Sequence, residues 1–593
     1  MGIKQFFQWF RRRYQHCIYA IPAGCTLKSV ITPDTALIDL NGIFHQAAQR
    51  VYQYGDYAPR KNLINPEPRP PIYVSEENNR KVYKQVCMDI DALVKLISPR
   101  EKIILCVDGP APLSKQQQQR SRRFLAARER MQAQPSSAGY DLALRPNQSS
   151  MAQGSNITFN SNCITPGTSF LRNLTKYVYH HIKHNIANGH WAGLQVIWSD
   201  ELVPGEGEAK LLAYVRANAR PNEIFCLHGL DADLIMLALG AKPDKFYLLR
   251  EDTMENTHHL IDINAVRVQI ARDLKWDRIV DAEENADKNE EKNAEKNTNK
   301  NIAKYDPYRA VLDFILMCFT VGNDFVPHIP GIEIVENGIE HMFAVYRRVG
   351  QHLCVKYKNG QWRFHRGPMA EFFSALTQYE QEVFNDKLNS GNFFPDPLLQ
   401  SNSEEISPGK WKVNLAQYRE AYYKKKLPGT NLADVCQDYL NGLHWVLNYY
   451  VEGVPHWQWR YPYLYAPFAG DLAHYVKTMA VPLYGPSQPY TPFLQLLCVL
   501  PPHSIDLLPH CLQQAFDTDL LRPFYPHNFD IDLDGKRKTW EAVPILPILD
   551  FLTVQTIYDS MIKFVSEADQ SRNKIHRPVM LKYVGGGVQE TIL

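Results

Sequence analysis

The sequence contains no C-x-x-C pair. Its 11 cysteines are scattered singly along 593 residues, which excludes a zinc ribbon and a disulfide framework and points to a reducing compartment. No apolar run is long enough to span a bilayer. The best, AVLDFILMCF from Ala310 to Phe319, is short and carries Asp313. The opening MGIKQFFQWFRRRYQHC lacks the uninterrupted apolar core of a signal peptide and has Phe6 where a myristoylation motif needs Ser or Thr. Net charge is almost absent: 65 Lys and Arg against 63 Asp and Glu leave +2, so any polyanion site must come from local clustering. Walker A and Rossmann glycine fingerprints are missing, which removes support for ATP-driven or dinucleotide chemistry. His180 and His184 stand at i, i+4, but without the Glu of H-E-x-x-H or a nearby cysteine they read as an exposed helix face. We expect a soluble, intracellular chain whose 45% hydrophobic content allows a sizeable core.

The first half alternates two kinds of segment. Short apolar runs, several ending in an acid, lie at Ala36 to Asp39, Ile103 to Asp108, Leu194 to Ser199, Ile224 to His228 and Phe246 to Leu249. Between them, helical patterns run near Val82 to Ile97, Gln116 to Arg130, Ser169 to His184, Ala209 to Ala217 and Ala232 to Leu239. Continuous apolar strands separated by amphipathic helices predict an α/β fold, a mostly parallel sheet covered on both faces. Ligands of such sheets sit at the carboxyl ends of the strands. Pro59 to Pro71, Met131 to Asn160 and the Asn/Lys/Glu-rich Asp281 to Lys304 read as solvated insertions. We therefore divide the chain into an α/β region over 1–280, the insertion 281–304, and a helix- and aromatic-rich remainder over 305–593. That remainder includes a long helix from Leu432 to Tyr450 and GVPHWQWRYPYLYAPF (Gly453 to Phe468), too aromatic for a simple strand or helix.

Acids close or follow the strand patterns: Asp39, Asp108, Glu206 and Glu208 in VPGEGEAK, and Asp231 and Asp233 in GLDADL. Asp324, in GNDF, follows the helical run ending near Val321. A lone Asp at a strand end is usually a turn residue or helix N-cap, and the two glutamates suit a helix start. The signal is repetition. Seven carboxylates on one sheet edge repel one another unless cations neutralise them. Hard oxygen ligands suit Mg²⁺ or Mn²⁺, and two such ions roughly 4 Å apart activate water against a phosphodiester.

APLSKQQQQRSRRFLAARER (Ala111 to Arg130) holds six basic residues and one acid, and Lys115, Gln119, Arg122 and Arg123 share a helical face at i, i+4, i+7 and i+8. Such a patch, following directly on Asp108, suits a terminal phosphate; a solvated basic helix is the plainer reading. Trp457, Trp459 and His45 are the candidates for stacking on bases, against core packing for the tryptophans and a structural role for the histidine.

LIDLNGIFH, VDGPAPLSKQQQQRSRRFLAARE, NCITPGTSF, VPGEGEAK, GLDADLIML, GNDFVPHIPGIEI, GVPHWQWRYPYLYAPFAGDL, PFLQLLCVLP and FYPHNFDIDLDGKRKTWEAVPILPILDF occur in the order expected of the XRN family of 5′→3′ exoribonucleases. The chain resembles that family from its N-terminus to about Phe551. The resemblance implies a PIN-like, FEN-like nuclease core with two large regions in one globule. It implies metal ligation by Asp39, Asp108, Glu206, Glu208, Asp231, Asp233 and Asp324, and 5′-monophosphate capture by Lys115, Gln119, Arg122 and Arg123. It also implies base stacking between His45 and a tryptophan of WQW, Trp457 ahead of Trp459. The sequence departs from the family at Lys4, where members usually have proline. It has no zinc knuckle, since no cysteine lies between Cys226 and Cys318, and it stops at Leu593 without the long extension of the cytoplasmic members.

The expectation is a minimal, monomeric, processive 5′→3′ exoribonuclease in the cytoplasm, using two Mg²⁺ or Mn²⁺ ions on single-stranded 5′-monophosphorylated RNA. The rival readings are a flap-type DNA endonuclease, against which the basic face beside Asp108 argues, and an inactive RNA-binding scaffold, against which the intact set of acids argues.

Overall fold

The computed structural model describes residues 6–22, 24–57, 72–133, 158–231, 233–252, 257–276, 304–334, 337–357, 359–390, 396–480, 482–536 and 541–593. Lys4, the proline-rich stretch 59–71, most of 131–160 and nearly all of 281–304 lie outside the described residues.

Seven strands, β1 (Ile18–Ile21), β2 (Thr35–Asp39), β3 (Lys102–Cys106), β4 (Gln195–Ser199), β5 (Phe225–His228), β6 (Phe246–Asp252) and β7 (Thr257–Asp262), join a C-terminal hairpin (Val579–Val584 and Gly587–Ile592). They form one nine-stranded sheet in the order β1, β7, β6, β5, β2, β3, β4, then the hairpin. The five strands from β6 to β4 are mutually parallel. Both flanks are antiparallel: β7 and β1 beside β6, and the hairpin beside β4. The sheet is thus α/β with a parallel centre. The five apolar runs of the first half fall on those five parallel strands. β1, β7 and the hairpin lie outside those runs; these flanking strands are short or half-exposed, so their pattern is diluted.

The middles of the parallel strands are continuously apolar because both their faces are buried. On one face Ala36, Ile38, Ile103, Leu105, Val196 and Trp198 pack against α2 (Asn41–Tyr52), α3 (Glu76–Ile97) and α5 (Ser169–Ala187). On the other, Leu37, Ile104, Ile197, Phe225 and Leu248 pack against α6 (Gly207–Asn218), α7 (Asp233–Gly240), and the helices Pro307–Phe319 and Leu432–Val451. Helices connecting β2 to β3 to β4 cover the first face; those after β4 and β5 cover the second. The winding therefore reverses between β2 and β5, and at such a switch point the strand ends open a crevice.

Asp313, the charge inside the apolar run, is fully buried and fully used. It accepts from Tyr346 Oη (2.8 Å), His352 Nδ1 (2.8 Å) and the Cys354 backbone N–H (2.9 Å). The Asp306 N–H donates to His352 Nε2 at 3.0 Å, which leaves the ring proton on Nδ1, facing the carboxylate. None of the helices among the described residues is long and apolar enough to cross a membrane.

Candidate functional site

Asp39 is the last residue of β2 and Asp108 lies just past β3, so neighbouring parallel strands deliver both to the crevice. Asn41 ties them together. Its backbone N–H donates to Asp39 Oδ1 (3.2 Å), its side-chain Oδ1 accepts from the Asp108 N–H (3.1 Å), and its Nδ2 donates to Asp108 Oδ2. The loops after β3 and β4 are stitched by paired backbone bonds, Gly109 N–H to Gly205 O (2.9 Å) and Gly205 N–H to Pro110 O (2.8 Å). A side chain at Gly109 would run into the Val203 carbonyl.

Within VPGEGEAK, Gly205 takes a left-handed φ of +102° to turn the chain, and α6 starts at Gly207, two residues before the expected Ala209. Glu206 occupies the N-cap position, but its side chain caps nothing. It instead accepts from Tyr449 Oη (3.0 Å) and meets Lys115 Nζ at 2.5 Å. Gly207 is required for closeness: its N–H donates to Asp108 Oδ1 (2.7 Å), and a Cβ there would collide with Asp39 Oδ1. Lys210 Nζ gathers the carbonyls of Asp200 (2.9 Å), Val203 (3.2 Å) and Ser199 (3.4 Å), which fixes the approach to the two glutamates.

All seven acids join one network. Glu208, Asp231 and Asp233 place a carboxylate oxygen each within 4.8 Å of one another. Asp324 and Glu206 are bridged by Lys115, whose Nζ is 2.8 Å from Asp324 Oδ2. Asp39 feels Asp108, Asp231 and Glu206. Burial, then these like charges, push Asp39 and Glu208 well above the usual carboxylate range. Burial also lifts Asp233 to about 6, and lifts Glu206 to about 7 against the pull of Lys115. Asp324 goes the other way: burial raises it, but the Lys115 ammonium outweighs that and holds it at about 2. Asp233 Oδ1 is buried and has no hydrogen-bond partner among the described residues. An all-oxygen set that joins the buried Glu208 and Asp233 to the exposed Asp231, with an unpaired acceptor on Asp233 and burial raising most of its acids, fits a hard divalent cation such as Mg²⁺ or Mn²⁺.

The basic helix α4 (Leu113–Ala133) splits by face. On one side Arg123 donates to Thr165 Oγ1 (2.9 Å) and reaches Gln119 Oε1 (3.5 Å), while Arg122 stays exposed. Burial and the charge of Arg122 push Arg123 down to about 9. Burial, with Arg122 and Arg123 close by, takes His45 down to about 4, so its ring is neutral at physiological pH. Lys115 differs from the other members of this face, because its ammonium is committed to Glu206 and Asp324. On the other side Arg120 donates to the carbonyls of Cys498 (3.4 Å) and Phe524, and Arg128 to that of Phe529 (2.8 Å). Those two arginines hold the C-terminal part of the chain to the helix.

The two tryptophans of WQW part company. Trp459 stacks on Trp445 (centroids 5.1 Å, 22°), which stacks in turn on Tyr449 (5.1 Å, 11°). Trp457 is half-exposed, and its ring has no aromatic partner among the described residues. Its carbonyl accepts from the Leu113 N–H at 2.9 Å, which places it at the start of the basic helix. His180 and His184 are exposed on α5.

Asn41, Lys210 and Tyr449 escaped the sequence reading. Asn41 and Lys210 sit inside motifs quoted for their acids, so the signal was present but unread. Tyr449 ends a helix whose apolar pattern gives no cue that one hydroxyl leaves the core.

The profile described as "XRN 5'-3' exonuclease N-terminus" matches residues 1–252, and that of the "Xrn1 helical domain" matches 304–405 and 396–585. Human 5'-3' exoribonuclease 1 is 28% identical over 98% of this chain and 35% of its own length. Arabidopsis thaliana 5'-3' exoribonuclease 2 is 28% identical over 93% of this chain and 66% of its own. The chain thus spans about a third of the human relative and about two thirds of the plant one. A solved structure of the catalytic core of Rad2 in complex with DNA substrate matches at TM-score 0.27 and 10% identity, covering 57% of this chain and 67% of that one, a likeness too slight to bear on fold or chemistry. The two profiles cover most of the sequence, and the chain belongs to the XRN 5′-3′ exonuclease family.

Proposed function

We propose that this member of the XRN family is a processive 5′→3′ exoribonuclease that takes single-stranded RNA with a 5′-monophosphate and releases nucleoside 5′-monophosphates. The observation that carries the reading is the convergence of seven carboxylates from separate chain segments at the switch point, beside a helix face bearing Gln119, Arg122 and Arg123.

Asp39, Asp108, Glu206, Glu208, Asp231, Asp233 and Asp324 would hold two divalent ions. When bound, such ions lower the pKa of water and neutralise charge on the phosphate oxygens. The chain's own groups do the rest. Asn41 and the Gly207 N–H orient Asp108, and Tyr449 orients Glu206. Arg122 and Arg123 take the terminal phosphate by charge-assisted hydrogen bonds. His45, neutral, and Trp457 stack on the leading bases, an arrangement every base satisfies and which therefore does not select sequence. In-line attack of water breaks the bond from phosphorus to the 3′ oxygen of the first nucleotide. The shortened RNA begins with a new 5′-monophosphate, so the product is itself the next substrate, which supports processive action.

The test uses purified protein, Mg²⁺ and 3′-labelled RNAs bearing 5′-monophosphate, triphosphate or hydroxyl, with matched DNA. Mononucleotide release confined to the monophosphorylated RNA is expected. Internal cuts in flap DNA would overturn the reading, and binding without cleavage would make the protein a scaffold.

A further inference from the structure

Asp324 sits near the start of a loop joining the helices Pro307–Phe319 and Gly338–Val349. The first part of that loop, residues 320–329, is one bonded unit. The Ile329 N–H donates to Thr320 O (2.9 Å), and Asn323 Oδ1 accepts from the N–H groups of Phe325 (2.8 Å) and Val326 (3.0 Å). Gly322, at φ +91°, lies so close beneath His328 that a Cβ would come 2.9 Å from its nitrogen. The Ile332 N–H donates in turn to Ile329 O (3.0 Å), so Glu333 follows directly on this bonded stretch.

Glu333 is gripped by Lys387 (3.1 Å) and by Lys536, and Asp534 is gripped by Lys426, which also reaches Asp532 at 3.1 Å. The His328 ring lies between the two halves, its Nε2 3.6 Å from both Glu333 and Asp534. Tyr465 Oη donates to Asp532 Oδ2 at 2.6 Å. Residues 532–536 form a tight turn, with Asp534 at φ +49°, Gly535 at φ +72° and the Lys536 N–H bonded to Leu533 O (2.8 Å), so Asp534 and Lys536 are presented together. The three acids and three lysines are largely buried and balance in charge. Burial alone would raise Glu333 and Asp534; the lysines hold both well below the usual carboxylate range. Buried ion pairs add little net stability over apolar packing, and their best-attested use is to specify one arrangement.

We propose that residues 532–536 are a positioning clamp for the Asp324 loop, which sets the place of that carboxylate in the acid cluster through Glu333 and His328. The inference rests on the metal-binding reading of the acids and not on the RNA reading. Its test is Mn²⁺ binding to the full chain without RNA, followed by the electron paramagnetic resonance signal of free Mn²⁺. Lys536→Met should raise the Mn²⁺ needed for half-saturation several-fold, and Lys536→Arg should keep it near the wild-type value. Should Lys536→Met fail to fold, Asp534→Asn carries the same expectation. Unchanged Mn²⁺ binding beside a lowered melting temperature would reduce the clamp to a structural tie and overturn the proposal. A wild-type chain that binds Mn²⁺ but leaves RNA intact would sink the exoribonuclease reading and leave the clamp standing.

Discussion

Gly207 contributes no side chain, yet the site closes around its missing one. Gly207→Ala should push Asp39 off its position and lower turnover about 100-fold, the cost of a misplacement near 1 Å. The melting temperature should hold or rise, because alanine favours the first turn of α6. A melting curve beside a rate measurement separates the two effects. The tryptophans give the opposite contrast. Trp459→Ala removes a ring stacked on Trp445 and should cost about 2 kcal/mol of stability by chemical denaturation. Trp457→Ala should leave stability alone and raise KM for RNA. At this scale the sequence shows the acids well, because each closes or follows a run whose period is plain. It hides how each acid is held. The spacing of Glu206 and Glu208 says nothing of the contact between Gly207 and Asp39, and Lys115 reads as one more member of a basic face although its ammonium lies among carboxylates.

The helix α4 shows how one element serves two purposes. Its i, i+4, i+7, i+8 pattern was legible and does mark a face, but the pattern cannot say which of the remaining arginines are solvated. Arg120 and Arg128 are ties to a segment some 400 residues later in the chain, a relation carried by tertiary packing alone. Substitutions should sort by face. Arg120→Met leaves the Cys498 and Phe524 carbonyls short of a donor and should cost about 2 kcal/mol of stability. Arg122→Ala, on the exposed side, should leave the melting temperature unchanged. It should reduce the preference for monophosphorylated over hydroxyl-ended RNA about tenfold, as loss of one charge-assisted hydrogen bond does.

For the whole molecule, the raised acids couple metal binding to pH. Asp39, Glu206, Glu208 and Asp233 hold protons more tightly when folded, so the folded state binds more protons than the unfolded chain between the ordinary carboxylate values, near 4, and about 7. The contribution of these four acids to stability therefore falls as pH rises through that window. A cation must displace those protons, so Mg²⁺ should raise the melting temperature more at pH 8 than at pH 6. At about 100 times its dissociation constant at pH 8 it should add roughly 2.7 kcal/mol there, and less at pH 6. A thermal scan at both pH values, with and without Mg²⁺, decides it. At this scale the parallel centre of the sheet was legible, because strands buried on two faces must be apolar at every position. The edges were not, since a half-exposed strand shares its pattern with any loop.

The hairpin Val579–Val584 and Gly587–Ile592 pairs with β4, and the Asp200 carboxylate beside that strand meets His576 Nε2 at 2.6 Å. In a chain made from its N-terminus, these partners are separated by roughly two thirds of the sequence, some tens of seconds at roughly 5–20 residues per second. Throughout that interval the outer edge of β4 offers unpaired backbone groups, a template for the wrong neighbour. That one edge stays open to wrong pairing until the hairpin leaves the ribosome. Until the hairpin has emerged, Asp200, just ahead of the loop that carries Glu206 and Glu208, lacks the hold of His576.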